Sequence, residues 1–567
     1  MGPAASGELI GPGSAVARGS SGWFPSPVDA VVRSGRRLDH YRRLRDRPDR
    51  PWLRLGTVSD AAIAPGVLSW WGGGLVSRVP EADGPVDYRL TASGWQRVAP
   101  LPGWSAAPGA DAWPGPGRSH PVPPGLSEQL AAGPLPVAAI AGHGGGALVE
   151  EAGSLFGYHL VGSRWERDSC LRIADPEPFD VSGPESVKLA QVSGEVDATP
   201  TPWGERLPTL SASLSTAGIR GTDLGVRVDH AGRSFLLFGD THWTRRWLTT
   251  RDAIAEVTVP GPRPGLPGVR FHGSPLKPFG LGVTRREYDV PLDGFSAGGQ
   301  LYAFFSSNHF RSRRVMGRSV IARADTNLVI DPAVRRRPIR FRVLATFSER
   351  HFLTVSAQVR PASAVPGCGP DGDVVLIWGS GPYRASEARL ALLDQAALAR
   401  LDAVSRPIPT AELGVRYFNG TGWSDAEDDA APLFGPAALG ELCVRWVPAV
   451  GRYLLLAASG PEDPMGHAIT LRTASRPEGP WSPRRRLLDW VATGMTEANT
   501  RFIKAATDDI VGDRIFPGQA RGTGAAYAPY LFDAVAEGDE VILRYLLSTW
   551  NPYQVVLMRH RLPLASL

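Results

Sequence analysis

The chain has 567 residues, too many for one ordinary compact domain, which points to two modules or one large closed repeat. Gly 65 and Pro 52 together make up about a fifth of it and hydrophobics reach 43%, a mixture that excludes a mainly disordered chain and disfavours a helical bundle. The net charge of +5 rests on scattered Arg: only Lys188, Lys277 and Lys504 are Lys among 61 basic residues, a pattern that argues against a nucleic-acid partner.

Residues 1–20 are Gly/Ser/Ala-rich and read as a flexible N-terminus. They lack a charged start followed by an apolar stretch, so no secretory leader is visible. The chain therefore reads as cytoplasmic, or as extracellular or cell-wall associated if the true start lies upstream. Residues 21–175 form a β-rich module of blade-like repeats, read as an accessory that could bind carbohydrate. Three segments in it, VDAVVRSGRRLDHYRRL, VLSWWGGGLVSRV and AAIAGHGGGALVEEA, each precede a Trp (Trp52, Trp95, Trp165). The Trp spacings are 43 and 70, and the second contains a Pro/Gly/Trp-rich insertion of about 25 residues. Removing it returns a period near that of propeller blades. Residues 176–208 are a linker or a first strand.

From 209 to 567 the repeat is clearer. TDLGVRVDHAGRSFLLFGDTHW, DGFSAGGQLYAFFSSNHF, SAQVRPASAVPGCGPDGDVVLIWGSG, GELCVRWVPAVGRYLLLAASG and YAPYLFDAVAEGDEVILRYLLSTWN each place a strand, a turn and a very apolar second strand. SVIARAD, RLALLD, ITLRTAS and QVVLMRHRL add third strands. The predicted fold is all-β: a five-bladed β-propeller preceded by the blade-like module. The best helix candidate is 385–403, although part of it must serve as a strand. No apolar run approaches the roughly 20 residues of a membrane span, so no membrane insertion is expected. Cys170, Cys368 and Cys443 form neither a zinc spacing nor a disulfide framework.

Such a fold has a chemical consequence. The start of each innermost strand and the end of its antiparallel neighbour open on one face, so residues there ring a common mouth. The starts are Asp223, Asp289 with Asp293, Ser356, Glu441 and Tyr527; the ends are Asp240 with His242 and Trp243, Asn308 with His309, Ser380, Ser459, and Trp550 with Asn551. Carboxylates interrupt apolar strands only at a desolvation cost. Two close carboxylates divide into one protonated and one ionised group, the pair that glycosidic cleavage requires. Asp240 also reads as a turn cap, and Asp293 as a turn residue. Trp243, Trp247, Trp423, Trp550 and Tyr553 lie at or near the mouth and suit sugar faces. The acidic stretch 424–429 reads as a solvated turn, with a calcium loop as the rarer alternative. No phosphate loop, HExxH or nucleophile elbow is present.

The motifs GTDLG (221–225), FLLFGDTHW (235–243), YDVPLDGFSAGGQLYAFF (288–305), GPYRAS (381–386), GELCVRW (440–446), GPWS (479–482) and LLSTWNPYQVVLM (546–558) carry a resemblance. Over about 209–565 the chain resembles a bacterial five-bladed propeller family, long labelled a domain of unknown function, that includes endo-acting D-arabinanases. The resemblance implies hydrolysis of D-arabinofuranan with Asp223 and Asp240 first among the catalytic carboxylates. Glu441 sits where related five-bladed glycosidases place an acid.

The expected activity is thus a glycoside hydrolase cleaving a furanose polysaccharide, with Asp223, Asp240 and Glu441 as the acid–base set and no cofactor beyond an optional structural calcium. Asp289, His242, Trp243, Asn308, Tyr527, Trp550 and Asn551 would bind substrate, Asp289 also tuning proton affinity, and an arabinan-type polysaccharide would be the partner. The alternatives are a non-catalytic lectin-like propeller, or an interaction protein whose mouth carboxylates hold calcium.

Overall fold

In the computed structural model the described residues are mostly in strands, with a few short helices. The structure describes residues 8–10, 14–17, 27–34, 36–44, 52–62, 67–71, 74–91, 94–100, 119–120, 140–142, 146–151, 154–161, 164–171, 173–174, 179–180, 182–201, 203–244, 251–280, 283–284, 288–309, 317–325, 338–383, 386–404, 406–434, 439–459, 468–490, 525–550 and 553–567. Two compact units emerge: Met1–Pro176 with Pro461–Gly466, and Glu177–Gly460 with His467–Leu567. No helix among the described residues is long and apolar enough to cross a membrane.

The second unit is a five-bladed β-propeller. Its innermost strands are Ile219–His230, Pro291–Ala297, Thr354–Pro361, Leu439–Val447 and Ala525–Glu537. Each packs against the next, and the fifth returns to the first, which closes the ring. Each pairs antiparallel with a second strand: Arg233–Trp243, Gln300–Ser307, Asp373–Ser380, Arg452–Ser459 and Glu540–Trp550. Second strands such as SFLLFG and LYAFFSS are buried nearly without interruption. A strand in the middle of a blade has a neighbouring blade on each face, so it needs a continuous apolar run rather than alternation.

The outer strands carry the closure. Phe179–Asp180 pairs parallel with Arg484–Asp489 of blade 4, and Val187–Gln191 pairs antiparallel with Val555–Pro563 of blade 5. The segment expected as linker or first strand therefore ties the front of this unit to its last two blades. In the helix candidate both halves of the expectation are present: Arg389–Leu393 is a strand of blade 3, and Gln395–Ala403 is a helix. Asp394 caps that helix by accepting from the Ala397 N–H at 2.9 Å.

Along the axis one side chain joins four blades. The Arg445 guanidinium forks onto both oxygens of Asp293 at 2.9 Å each, donates to Ser356 Oγ at 2.8 Å, and reaches the Arg227 carbonyl at 3.4 Å. Asp293 Oδ2 also accepts from the Ala357 N–H at 2.8 Å. Asp293, one of the carboxylates expected at the mouth or in a turn, is a fully buried structural anchor.

The first unit holds four sheets of its own. Pro27–Ser34 and Arg37–Leu44 form the first expected hairpin, and Val67–Trp71 with Gly74–Glu81 the second. The third differs: Ile140–Gly142 pairs with Glu8–Ile10, whereas Gly146–Glu151 pairs with Ser154–Val161. Within the stretch expected to be flexible, Glu8–Ile10 is a strand paired on both sides, with Ser119–His120 and Ile140–Gly142, and Ser14–Ala17 is an edge strand paired with Pro27–Ser34, so their backbone hydrogen bonds are taken up.

Candidate functional site

Blade 1 supplies the two leading carboxylates. Asp223 lies opposite Gly239 in the strand register, and Asp240 follows directly; register shifts flank both positions. Such irregularities re-aim side chains where a ladder would fix them. A Cβ at Gly239 would come within 2.7 Å of Val290, 2.8 Å of Asp223 Oδ1 and 2.9 Å of Leu224, so only glycine lets the Asp223 carboxyl lie here. Asp223 Oδ2 accepts from the Tyr527 hydroxyl at 2.9 Å and the Tyr553 hydroxyl at 3.0 Å. The Tyr553 hydroxyl also stands 3.5 Å from Asp240 Oδ2, the outer limit of a hydrogen bond. Those two lengths, 3.0 and 3.5 Å, cap the separation of the two carboxylate oxygens at their sum, 6.5 Å. Asp240 takes the Tyr288 N–H at 3.1 and 3.3 Å.

Burial pushes the Asp223 carboxyl up to about 7; the two tyrosine hydroxyls oppose that rise and the nearby charge of Glu441 adds to it. Glu441, on the innermost strand of blade 4, accepts from the Tyr383 hydroxyl at 2.7 Å through Oε1. Asp289 accepts from the Thr284 hydroxyl at 2.6 Å and faces His309 Nδ1 at 3.0 Å. A further carboxyl, Asp252, was not anticipated from the sequence. It sits on the third strand of blade 1 across from the Gly239–Asp240 bulge, and burial, followed by the charges of Asp240, Asp223 and Asp289, holds it well above the usual carboxylate range. Inside RDAIAEVT it looks like an ordinary strand residue, so only the register shift in the pairing reveals it.

Three carboxylate oxygens here, Asp223 Oδ1, Asp252 Oδ1 and Glu441 Oε2, are buried without a hydrogen-bond partner among the described residues. Buried polar atoms are rarely left so in folded proteins, and a run of them in one region marks a place built for a ligand or water. Backbone strain gathers at the same place. Leu224, Tyr288, Asn308, Ala528 and Tyr553 all have left-handed φ, between 51° and 73°, and each belongs to or adjoins a mouth residue. Such conformations cost about 1–3 kcal/mol each and cluster where geometry is held for function.

The other expected residues divide. Tyr527 joins the centre through Asp223. His242 stands edge-on to the Tyr553 ring at 4.9 Å, and burial pushes its imidazole down to about 4, so it is neutral at neutral pH. Asn308 is drawn onto the Thr284 segment, its N–H donating to Thr284 Oγ1 at 2.9 Å. Trp243 needs correction as a sugar platform. It is 5% exposed, lies within an apolar cluster and donates its indole N–H to the Arg251 carbonyl, so it has no open face to offer. Trp550 ends the second strand of blade 5 opposite Ala525. Its side chain, Trp247 and Asn551 lie outside the described residues.

In the 424–429 stretch, Asp429 accepts from Ser424, Glu427 from the His351 N–H, and Asp428 pairs with Arg350, so its carboxylates serve a turn. Among the described residues no three His, Cys, Asp or Glu side chains gather as a metal-binding group.

Residues 211–559, more than half of the chain, match the family described as Domain of unknown function (DUF4185), and the chain belongs to that family. No curated protein matches it. Similar solved structures include an exo-β-1,3-galactanase from Phanerochaete chrysosporium, 12% identical over 67% of this chain and 65% of that one, TM-score 0.34. An α-L-arabinofuranosidase from Podospora anserina is 12% identical over 61% of this chain and 92% of that one, TM-score 0.31. An N-acetylgalactosamine deacetylase from F. plautii is 9% identical over 66% of this chain and 95% of that one, TM-score 0.34.

Proposed function

We propose that this member of the DUF4185 family is a glycoside hydrolase that cleaves a furanose polysaccharide, endo-acting on D-arabinan, with Asp223, Asp240 and Glu441 as its working carboxyls. The observation that carries the reading is the pair Asp223 and Asp240, whose Oδ2 atoms are bridged by one tyrosine hydroxyl and lie no more than 6.5 Å apart. Glycosidic cleavage requires a protonated carboxyl at the leaving oxygen and an ionised one at the anomeric carbon. With its carboxyl pushed up to about 7, Asp223 holds a proton near neutral pH. Asp240 has a backbone N–H donor that solvates its negative form.

In the forward step Asp223 protonates the leaving oxygen while Asp240 attacks the anomeric carbon. The C–O bond breaks and a glycosyl ester forms. In the second step Asp223, now ionised, removes a proton from water, and the resulting oxygen displaces Asp240. Retaining enzymes separate their carboxyls by about 5–5.5 Å and inverting ones by about 6.5–9.5 Å, and the cap of 6.5 Å favours retention. Glu441 raises the proton affinity of Asp223, and its Oε2, without a partner among the described residues, would accept a sugar hydroxyl on binding. The choice of D-arabinan follows the FGDT and STWNPY motifs and their resemblance.

Asp223→Asn and Asp240→Asn are each expected to lower turnover of arabinogalactan by orders of magnitude with unchanged circular dichroism. Hydrolysis at the parent rate by both variants would sink the assignment.

A further inference from the structure

We propose that Tyr553 is a positioning residue whose single hydroxyl proton links Asp223 and Asp240, so that the two carboxyls titrate as one unit holding one proton. Three observations place it. Its hydroxyl contacts both carboxylates, at 3.0 and 3.5 Å. Its backbone is held at φ 68°, a conformation a non-glycine residue adopts only when its surroundings require it. Its ring is 7% exposed and meets the His242 ring edge-on, which limits where the hydroxyl can point.

A tyrosine hydroxyl has one proton to donate and lone pairs to accept with. When both carboxyls are ionised, it can serve only the nearer, Asp223. When Asp223 is protonated, the Asp223 O–H can donate to the Tyr553 oxygen, which frees the tyrosine proton for Asp240. The result is a chain, Asp223–H to Tyr553–H to Asp240. A shift along it breaks the Asp223 O–H bond and forms a tyrosine O–H, while the original tyrosine O–H breaks and an Asp240 O–H forms. The proton count is unchanged, and no external acid or base takes part. Doubly protonated and doubly ionised forms both lose this chain, so the singly protonated form that hydrolysis requires is favoured over a wider pH range.

Tyr527 contrasts with it, since its hydroxyl bond at 2.9 Å goes to Asp223. Around the pair stand Tyr527 and Tyr530 from blade 5, Glu441 from blade 4, and Asp252 on the third strand of blade 1. Asp289 stands before blade 2, and His242 lies against the tyrosine ring. All of these persist when one oxygen is removed from Tyr553, so a change in titration reports on that oxygen.

The consequence for catalysis rests on the hydrolase reading; the linkage does not, and it can be read without substrate. The experiment is a carbon-13 NMR titration of the aspartate carboxyls in the parent protein, Tyr553→Phe and Tyr527→Phe, with melting temperatures to confirm folding. In the parent, Asp223 and Asp240 should respond together through one step near neutrality. In Tyr553→Phe the Asp223 midpoint should fall by about 1 pH unit, because the singly protonated form loses two hydrogen bonds and the doubly ionised form one, and the joint response should vanish. Tyr527→Phe should raise the Asp223 midpoint and keep the joint response. Parent-like midpoints and coupling in Tyr553→Phe would overturn the proposal, whether or not the protein cleaves glycans. For kcat/KM on arabinan, the basic limb should move to lower pH in Tyr553→Phe. Unchanged titration beside normal hydrolysis would leave the hydrolase and remove the link.

Discussion

Two clusters of buried carboxyl chemistry lie within the same five-bladed unit, and they are opposites. On the axis, Asp293 has a bidentate guanidinium, a serine hydroxyl and a backbone N–H, so both of its oxygens are satisfied. At the mouth, Asp223, Asp240, Asp252, Asp289 and Glu441 gather with tyrosines and backbone donors, three of their oxygens lack a partner among the described residues, and left-handed backbone surrounds them. A satisfied cluster fixes blade to blade. The other leaves hydrogen-bonding capacity and proton affinity unspent, at a cost in stability.

Removing the cation from the satisfied cluster should have the largest effect on folding. Arg445→Met leaves Asp293 buried and uncompensated in contact with strands of blades 2 and 3, and a loss of about 3–5 kcal/mol is expected. Urea denaturation reads it, and a loss within error of zero would mean the axial network is ornamental. A smaller effect is expected at the other cluster from Gly239→Ala. The added methyl meets Val290, Asp223 and Leu224 within 2.9 Å, so about 1–3 kcal/mol should be lost and turnover should fall with it.

An effect of similar size has the opposite sign. Asp223 binds a proton more tightly in the folded chain, at about 7, than its ordinary value of 3.8. Between those values the folded state holds more protons than the unfolded one, so stability falls as pH rises through the window. Asp223→Asn removes that liability. It should melt higher than the parent above pH 7, by on the order of 1–3 kcal/mol, with the advantage fading towards pH 4. A variant less stable than the parent at pH 8 would show that the Asp223 carboxylate is not held at a cost.

The contrast also marks what a linear reading can reach. The five hairpins were legible because each pairs an apolar strand with a short turn, and their strand ends located Asp223, Asp240 and Glu441. The axial anchor was not: Asp293 reads as a turn residue, and nothing in the sequence pairs it with Arg445, 152 positions away in the GELCVRW strand. Asp252 hides at the start of the apolar strand RDAIAEVT, and Tyr383 meets Glu441 across 58 residues. Trp243 misled because an indole at a strand end is equally apt to fill a core or face a cleft, and burial decides between them. The closure by 179–191 carries no apolar signature, since outermost strands of a blade pack on one side only.

The most direct measurement is of products. The purified protein would be incubated with a defined D-arabinan, followed by chromatography and by proton NMR of the first anomer released. Shortened arabino-oligosaccharides with retained anomeric configuration, absent with Asp223→Asn and Asp240→Asn, are expected. An intact polymer after prolonged incubation with the folded parent protein, or a first product of inverted configuration, would contradict a retaining carboxyl pair at this mouth.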